Sequence, residues 1–241
     1  MKYPRVKHLY KYYAYNENSL SVLINKKIWL AKPKSFNDPF DSDINFEDNI
    51  EDKLLEQIFG GETIDSKHSD KVKQAIIKGV EGLKERRFRN VGIFSMSENN
   101  DNILMWSHYA DQHKGFCVEF VRNSDNYLGN IEMTRPVDYP KDYTKVKFFN
   151  PTGNINKDIF QSVFYTKARD WVYEGEWRCV YREGDREESM PSAISSIIFG
   201  LKMPRRHRYT IMNILSGQGV SYKEAVKADN QFKIKIIDLT E

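Results

Sequence analysis

Two glutamates separated by a single glycine stand in an aromatic segment of the chain. Glu174 and Glu176 belong to the stretch Trp171-Val-Tyr-Glu-Gly-Glu-Trp-Arg178. If Glu176 opens a strand, both carboxylates point to the same face, because side chains alternate along a strand. Neighbouring carboxylates repel each other, so such a pair is typical of a solvent-exposed strand edge or of a site where positive charge develops during a reaction. Arg178 shares the face of Glu176, and a simple salt bridge is therefore an equal alternative.

Two aspartates lie in a turn-rich loop, Phe36-Asn-Asp-Pro-Phe-Asp41, directly after a predicted strand. Asn, Asp and Pro favour turns, and the side chain of Asp38 can bond local backbone amides while the phenylalanines anchor the loop. The other interpretation is a site loop in which Asp38 and Asp41 hold a cation or a ligand hydroxyl. The sequence favours the turn and leaves the site open.

A third group of polar residues ends a predicted helix, in Trp106-Ser-His-Tyr-Ala-Asp-Gln-His113. His108, Asp111 and His113 are metal-ligand types, but they lack the i, i+4 pairing or the Cys-x-x-Cys spacing of a zinc site, so no metal is favoured. His108 is either a buried histidine with satisfied hydrogen bonds or a site residue that forms hydrogen bonds to a ligand.

Composition restricts the class of protein. The 241 residues are 40% hydrophobic and 29% charged, which is typical of a globular protein and argues against disorder or a fibrous repeat. Cys117 and Cys179 lie in apolar runs, which predicts core thiols rather than a disulfide. No apolar stretch has the ~20 residues of a membrane helix, so we expect a cytoplasmic protein without a membrane partner. The net charge of +3 is too small to indicate nucleic-acid binding by itself.

The apolar pattern predicts an α+β fold with a mostly antiparallel or mixed central sheet and peripheral helices, because strands often follow one another directly. The predicted strands are 8–13, 28–31, 91–95, 115–120, 131–137, 176–181, 194–199 and 232–239, and the predicted helices are 16–27, 102–110 with Asp101 as its cap, 154–169 and 205–215. Residues from about 48 to 90 have a helical period and a polar surface, broken at Gly60-Gly61. They indicate a helical insertion or lid within a single domain of residues 1–241.

Seven motifs together resemble a large bacterial family that is known only as a domain of unknown function. They are Leu9-Tyr-Lys-Tyr12, Trp29-Leu-Ala-Lys-Pro33, Phe36-Asn-Asp-Pro39, Phe94-Ser-Met-Ser97, Met105-Trp-Ser-His-Tyr-Ala-Asp111, Gly115-Phe-Cys-Val-Glu-Phe120 and Tyr173-Glu-Gly-Glu-Trp-Arg178. The resemblance covers nearly the whole chain and implies no established activity, although it suggests a system of antiviral defence or a toxin.

The order of three motifs is also similar to that of ADP-ribosyltransferases, in which an arginine strand, a Ser-x-Ser strand and a Glu-x-Glu segment follow one another. The corresponding residues here are Tyr10, Lys11, Tyr12, Ser95, Ser97, Glu174 and Glu176. Lys11 or His8 stands where that family has arginine. The likeness implies a small split sheet that binds NAD as a substrate, with the serine strand on the nicotinamide side.

This resemblance implies a role for each candidate residue. Loss of nicotinamide leaves an oxocarbenium-like ribose that a carboxylate stabilises, and this role is assigned to Glu176. Glu174 positions the acceptor or acts as a base, Lys11 meets the pyrophosphate, and Tyr12 or Trp29 stacks on a ring. The remaining predicted NAD-binding residues are Tyr10, Ser95, Ser97 and His108. The acceptor would be a protein or a nucleic acid.

Two other functions remain open. A metal-dependent nuclease or phosphodiesterase would place Asp38, Asp41, His108 and Asp111 around a divalent cation, with the basic cluster 205–208 on phosphate. A non-enzymatic sensor or partner-binding module would use the aromatic residues as a recognition surface. The sequence does not indicate the oligomeric state.

Overall fold

The computed structural model of the chain describes residues 1–42, 45–46, 55, 65–143, 145–146 and 155–239. Within these ranges, the strands are β1 (His8–Tyr13), β2 (Lys27–Leu30), β3 (Asn45–Phe46), β4 (Gly92–Ser97), β5 (Phe116–Val121), β6 (Thr134–Pro136), β7 (Lys145–Val146), β8 (Glu176–Tyr181), β9 (Arg186–Ser189), β10 (Ile194–Phe199), β11 (Ser221–Lys227) and β12 (Ile234–Asp238). The α-helices are α1 (Glu17–Asn25), α2 (Ser66–Phe88), α3 (Ile103–Tyr109), α4 (Ile155–Phe164) and α5 (Arg205–Ile214). Short 3₁₀-helices span Pro33–Ser35 and Arg169–Glu174.

A mixed sheet of eight strands forms the centre of the fold, in the order β12-β11-β10-β5-β1-β4-β8-β6. Neighbouring strands run antiparallel except β10 and β11, which are parallel. The helix α5 connects those two strands, because a parallel pair needs a crossover. Two smaller sheets pair β2 with β9 and β3 with β7. The predicted α+β fold with a mixed sheet is confirmed.

Helix ends follow local capping. The side chain of Asn16 accepts a hydrogen bond from the amide of Ser19, whose hydroxyl accepts one from the amide of Asn16, so a capping box starts α1. The helix ends where Lys26 adopts left-handed backbone geometry. The prediction that Asp101 caps the next helix is wrong, because Asn102 accepts the amides at the start of α3.

The predicted helix 154–169 ends earlier than expected, at Phe164. The chain leaves the helix there to pair with Asp138, whose amide donates to the carbonyl of Tyr165 and whose carbonyl accepts from the amide of Lys167. A separate 3₁₀-helix then follows at Arg169–Glu174. This exit from the helix carries Lys167 away from the helical pattern that the sequence indicated.

The two faces of the sheet bury different layers. On one face, Leu9 packs in a cluster with Leu23 of α1 and Ile211 of α5. On the other face, Tyr12 packs with Trp106 of α3. Both cysteines are buried and free, in agreement with the prediction. None of the described helices combines the length and apolar character that a membrane span requires.

The proposed helical insertion is described only in part. Helix α2 occupies most of the second half of the interval 48–90 and is long, as its period predicted. The expected break at Gly60-Gly61 lies outside the described residues. That the chain forms a single domain stays a prediction.

Candidate functional site

The centre of the sheet is partly split. Strand β1 pairs with β5 along its full length, whereas its pairing with β4 is reduced to Tyr10 opposite Ser97. Beyond that point the register pairs none of the residues Lys11–Tyr13 with Phe94–Met96, and we call the space between these two segments the seam. The Nζ atom of Lys11 donates a hydrogen bond of 2.7 Å to the carbonyl of Ser95 across it. A lysine side chain therefore takes the place of a backbone partner.

A cavity of about 500 Å³ opens at the seam and is called the seam cavity below. Tyr10 and Tyr12 point to one face of the sheet and Lys11 and Tyr13 to the other, yet all four line the cavity. A fully paired strand presents only one of its faces to a given cavity. The seam cavity therefore passes between the strands rather than lying on one side of the sheet.

Both serines of the Ser-x-Ser motif line the seam cavity. The hydroxyl of Ser97 donates to the backbone carbonyl of Glu174 at 2.5 Å and accepts from the amide of Asn99 at 3.0 Å. Ser97 thus fixes the backbone that carries one glutamate. Ser95 lies opposite Arg178 in the register of β4 and β8, and its hydroxyl helps to lower the pKa of Glu176.

Glu174 and Glu176 both reach the seam cavity, although for a different reason than strand alternation. Glu174 ends the 3₁₀-helix and Glu176 begins β8, with Gly175 between them in left-handed geometry at φ +49°. A Cβ atom at Gly175 would lie 2.6 Å from the side-chain nitrogen of Asn99. Glycine is therefore favoured where the chain turns the two carboxylates together.

The carboxylate of Glu174 has two partners inside the cavity. Its Oε1 atom accepts a hydrogen bond of 2.5 Å from the hydroxyl of Tyr109, and its Oε2 atom lies 2.5 Å from Nζ of Lys167. Burial and the bond to Glu174 raise the pKa of Tyr109, so this hydroxyl stays a donor. Burial alone would lower the pKa of Lys167, but Glu176, Glu174 and Asp41 outweigh it and raise that pKa.

The carboxylate of Glu176 is held by Arg178, whose side chain is fully buried. Nε and Nη2 of Arg178 donate to the two Glu176 oxygens at 2.8 and 2.9 Å. Burial raises the pKa of Glu176, yet the charge and hydrogen bonds of Arg178, with the charge of Lys167, prevail and lower it to about 2. The salt bridge that the sequence left as an alternative is present, and this carboxylate stays ionised.

Asp41 closes the network from the loop after β2. Its two oxygens accept from Nη1 and Nη2 of Arg178 at 2.9 and 2.6 Å, and Lys167 lies 3.7 Å from Oδ2. Three carboxylates therefore share the charges of two directly bonded cations. Lys11 lies nearby without a carboxylate in ion-pair distance among the described residues, and burial lowers its pKa.

The walls of the seam cavity are aromatic. Tyr12 is almost fully buried, and its hydroxyl donates to the carbonyl of Asn99 at 2.8 Å, so its ring is fixed. Trp29 lines the rim and is 54% exposed, which leaves one face of a large ring available. Of the two residues predicted to stack on a ligand ring, Trp29 is the more accessible.

Several predicted residues lie outside this arrangement. His108 is exposed beside the rings of Tyr109 and Tyr173 and does not line the seam cavity. Asp38 is buried, and its Oδ1 atom accepts from the amide of Phe40, which is the turn contact that the sequence favoured. Asp111 is exposed in a left-handed turn. In the described ranges, no three His, Cys, Asp or Glu side chains are grouped as metal ligands, and a metal role for Asp38, Asp41, His108 and Asp111 stays a prediction.

Two members of the site were missed in the sequence. The sequence did not indicate a functional role for Lys167, because it is a single lysine in a segment that the pattern predicts to be helical. Tyr109 was visible only as one position on a helix face, since the distance from α3 to Glu174 in space cannot be read from spacing. Only the aromatic and polar residues next to Tyr109 and Lys167 in the sequence could have indicated that the two side chains belong to a site.

Comparison with known proteins supports the first resemblance. The family described as "Protein of unknown function (DUF2971)" matches residues 105–179, from within α3 to within β8. The predicted resemblance to a family of unknown function is thereby confirmed for these residues, and its extension over nearly the whole chain stays a prediction. The matched segment holds Tyr109, Lys167, Glu174, Glu176 and Arg178. A search of curated proteins and a search of solved structures give no match. The likeness to ADP-ribosyltransferases stays a prediction.

Proposed function

We propose that this chain is an enzyme that binds NAD in the seam cavity and breaks the bond between nicotinamide and ribose, so that ADP-ribose passes to an acceptor. One observation carries the proposal: three separate motifs meet in one cavity. Lys11 and its tyrosine neighbours, the two serines of β4, and Glu174 with Glu176 all line it. Its volume of about 500 Å³ lies in the usual range for small-molecule sites.

The charges favour an anionic ligand that carries a sugar. Lys11 is a half-buried cation that donates to a neutral carbonyl, and such a group is stabilised by an anion brought close to it. A pyrophosphate provides that anion. The opposite charge, needed where the glycosidic bond breaks, is available at the two glutamates that line the same cavity.

The contacts favour Glu174 over Glu176 as the carboxylate nearest the reacting carbon. Both oxygens of Glu176 are bonded to the Arg178 guanidinium, which fixes the group and offsets its charge. Glu174 is also paired with a cation, since its Oε2 atom lies 2.5 Å from Nζ of Lys167, but its Oε1 atom accepts only from the neutral hydroxyl of Tyr109 among the described residues and keeps a lone pair for a ribose hydroxyl. We therefore assign the stabilising role to Glu174 and a positioning role to Glu176, which reverses the assignment made from the sequence.

The step balances without a metal or a redox partner. The C1′–N bond breaks and its electron pair leaves with nicotinamide, whose ring nitrogen loses its positive charge. The ribose then carries oxocarbenium character beside Glu174, and the acceptor or water forms the new bond to C1′ and releases its proton to bulk solvent. One well-placed charge of this kind contributes about 3–4 kcal/mol of barrier reduction, or 10²–10³ in rate.

The decisive measurement is release of nicotinamide from NAD by the purified protein, with water as the acceptor. We expect Glu174→Gln to lower the rate by about 10²–10³, and the matched control Glu183→Gln, at an exposed position on the loop after β8, to leave it unchanged. In a thermal-shift assay, NAD at 100 times its dissociation constant should stabilise the protein by about 2.7 kcal/mol.

Each result decides between the functions. Stabilisation by NAD together with Glu174-dependent release supports the enzyme. Stabilisation without release refutes the enzyme and favours the sensor module. Absence of both, or release that is equal in Glu174→Gln and in the wild type, refutes the proposal, and chelator-sensitive cleavage of DNA or RNA in its place would favour the nuclease.

A further inference from the structure

A second cavity of about 520 Å³ lies beside the seam cavity, between α1 and the small sheet of β2 and β9. Three residues, Tyr13, Val22 and Trp29, line both cavities. They form a shared wall, and we call the second space the α1 cavity. The two cavities are therefore direct neighbours.

Trp29 has an unusual position in this shared wall. Along β2, Ile28 and Leu30 are fully buried, and alternation turns Trp29 outward, where it is 54% exposed. Among the residues that the structure describes, no aromatic ring stacks on Trp29. A large aromatic face without an aromatic partner is thus presented at the border of two cavities.

The α1 cavity differs from the seam cavity in its chemistry. Its polar groups include the side chains of Asn18 and Ser21 and the ion pair of Lys27 with Glu187 at 3.3 Å, of which both members are about half exposed. Amide and hydroxyl groups around an aromatic platform suit a purine and a ribose, which offer several hydrogen-bonding atoms and a flat face. Its carboxylate, Glu187, is half exposed to solvent and paired with Lys27, so it is less suited than the buried glutamates of the seam cavity to stabilise positive charge on a ribose.

The order of the residues along β1 joins the two compartments. Lys11 and Tyr13 share a face of the strand, Lys11 lines the seam cavity, and Tyr13 lines both cavities. The cation of the seam is therefore two residues along one strand face from a ring that borders both cavities. A ligand that enters both cavities can place an anion beside Lys11 and a ring system in each cavity.

We infer that the substrate is a whole dinucleotide that spans both cavities. Its nicotinamide riboside half lies in the seam cavity, its pyrophosphate lies by Lys11, and its adenine stacks on Trp29 in the α1 cavity. This inference rests on the proposed function, and it adds that a mononucleotide fills only half of the site.

The test compares ligand affinities by calorimetry for NAD, nicotinamide mononucleotide and AMP. We expect Trp29→Ala to weaken NAD and AMP binding by about 10-fold or more, because stacking on one base contributes that much, and to leave nicotinamide mononucleotide binding unchanged. Trp29→Phe should retain most of the affinity. The matched control is Tyr209→Ala, which removes an exposed aromatic ring of α5 that lines neither cavity.

The outcomes separate the two proposals. If the wild type binds none of the three ligands, the proposed function fails and this inference fails with it. If NAD binds and is cleaved, yet Trp29→Ala binds NAD as tightly as the wild type, or nicotinamide mononucleotide binds as tightly as NAD, the dinucleotide-spanning site is refuted while the proposed function stands.

Discussion

Asp41 and Arg178 are 137 residues apart in the chain, and they meet through two hydrogen bonds of 2.9 and 2.6 Å. The same guanidinium donates to both oxygens of Glu176 and to the carbonyl of Phe164 at 3.1 Å. All five N–H donors of the arginine are therefore used. One side chain fastens the loop after β2 and the end of α4 to β8, and these are the elements that surround the glutamates.

Loss of the Arg178 side chain should destabilise the fold around the two glutamates. We predict that Arg178→Met lowers the free energy of unfolding by about 3–5 kcal/mol, because it leaves buried carboxylates without their cation. Arg178→Lys should also destabilise, since an ammonium cannot form the paired hydrogen bonds of a guanidinium. Urea unfolding measures both, with Arg182→Met, at an exposed position directly after β8, as the control. Equal stability of Arg178→Met and the control would contradict this view of the network.

Acid should weaken the fold through Glu176. Its pKa is lowered from 4.5 to about 2, so its contribution to stability is complete above pH 4.5 and is lost as the pH falls through 2. Between pH 6 and pH 3 we predict that the wild type loses about 2 kcal/mol more than Glu176→Gln, at about 1.4 kcal/mol for each pH unit between the two pKa values. Denaturant unfolding of both proteins at each pH measures the difference. Parallel pH profiles for the two would refute the assignment.

The glycine between the glutamates should not tolerate a side chain. We predict that Gly175→Ala destabilises the protein by about the 1–2 kcal/mol that left-handed geometry costs, with a smaller added cost because the side chains of Asn99 and Glu98 must shift away from the new Cβ. Gly217→Ala is the matched control, since Gly217 has φ +74° and open space around its Cβ position. Thermal unfolding gives both values. The steric part of the argument fails if the two variants lose the same stability.

The hydroxyl of Tyr109 should matter for turnover more than for folding. We predict that Tyr109→Phe lowers the rate of nicotinamide release by about 10-fold, which corresponds to about 1.4 kcal/mol, because Glu174 loses a donor that orients it. Tyr173→Phe, on a neighbouring ring whose hydroxyl forms no bond to Glu174 in the described structure, should keep the wild-type rate. A rate for Tyr109→Phe equal to that of Tyr173→Phe would show that the hydrogen bond has no function.

The pattern of apolar and polar residues predicted strand limits well where the local sequence determines the structure. Strands β1, β8 and β10 have the predicted limits, because their apolar alternation is clear. Strand β9 was not predicted, since Arg186-Glu-Glu-Ser189 is polar and exposed and is a strand only through its pairing with β2. Strand β11 was missed for a similar reason, because charged residues interrupt its alternation.

The candidate site was predictable in its motifs but not in its contacts. Tyr10, Ser97 and Glu176 lie side by side because β1, β4 and β8 are neighbours in the sheet, whereas in the sequence a common site was only what the resemblance to ADP-ribosyltransferases implied. The partners of the carboxylates could not be derived, because Lys167 and Asp41 approach them only through the exit from α4 and the turn after β2. Sheet order and loop paths depend on long-range packing, which the spacing of residues in one sequence does not contain.

The bidentate pair of Asp41 and Arg178 also restricts how this sequence can change over evolutionary time. A substitution at either position alone leaves a buried charge without its partner. The single substitution would therefore be selected against even if the double replacement folded well. In relatives of this chain, the two positions should covary, and a relative that has lost the arginine should carry an uncharged residue at the position of the aspartate.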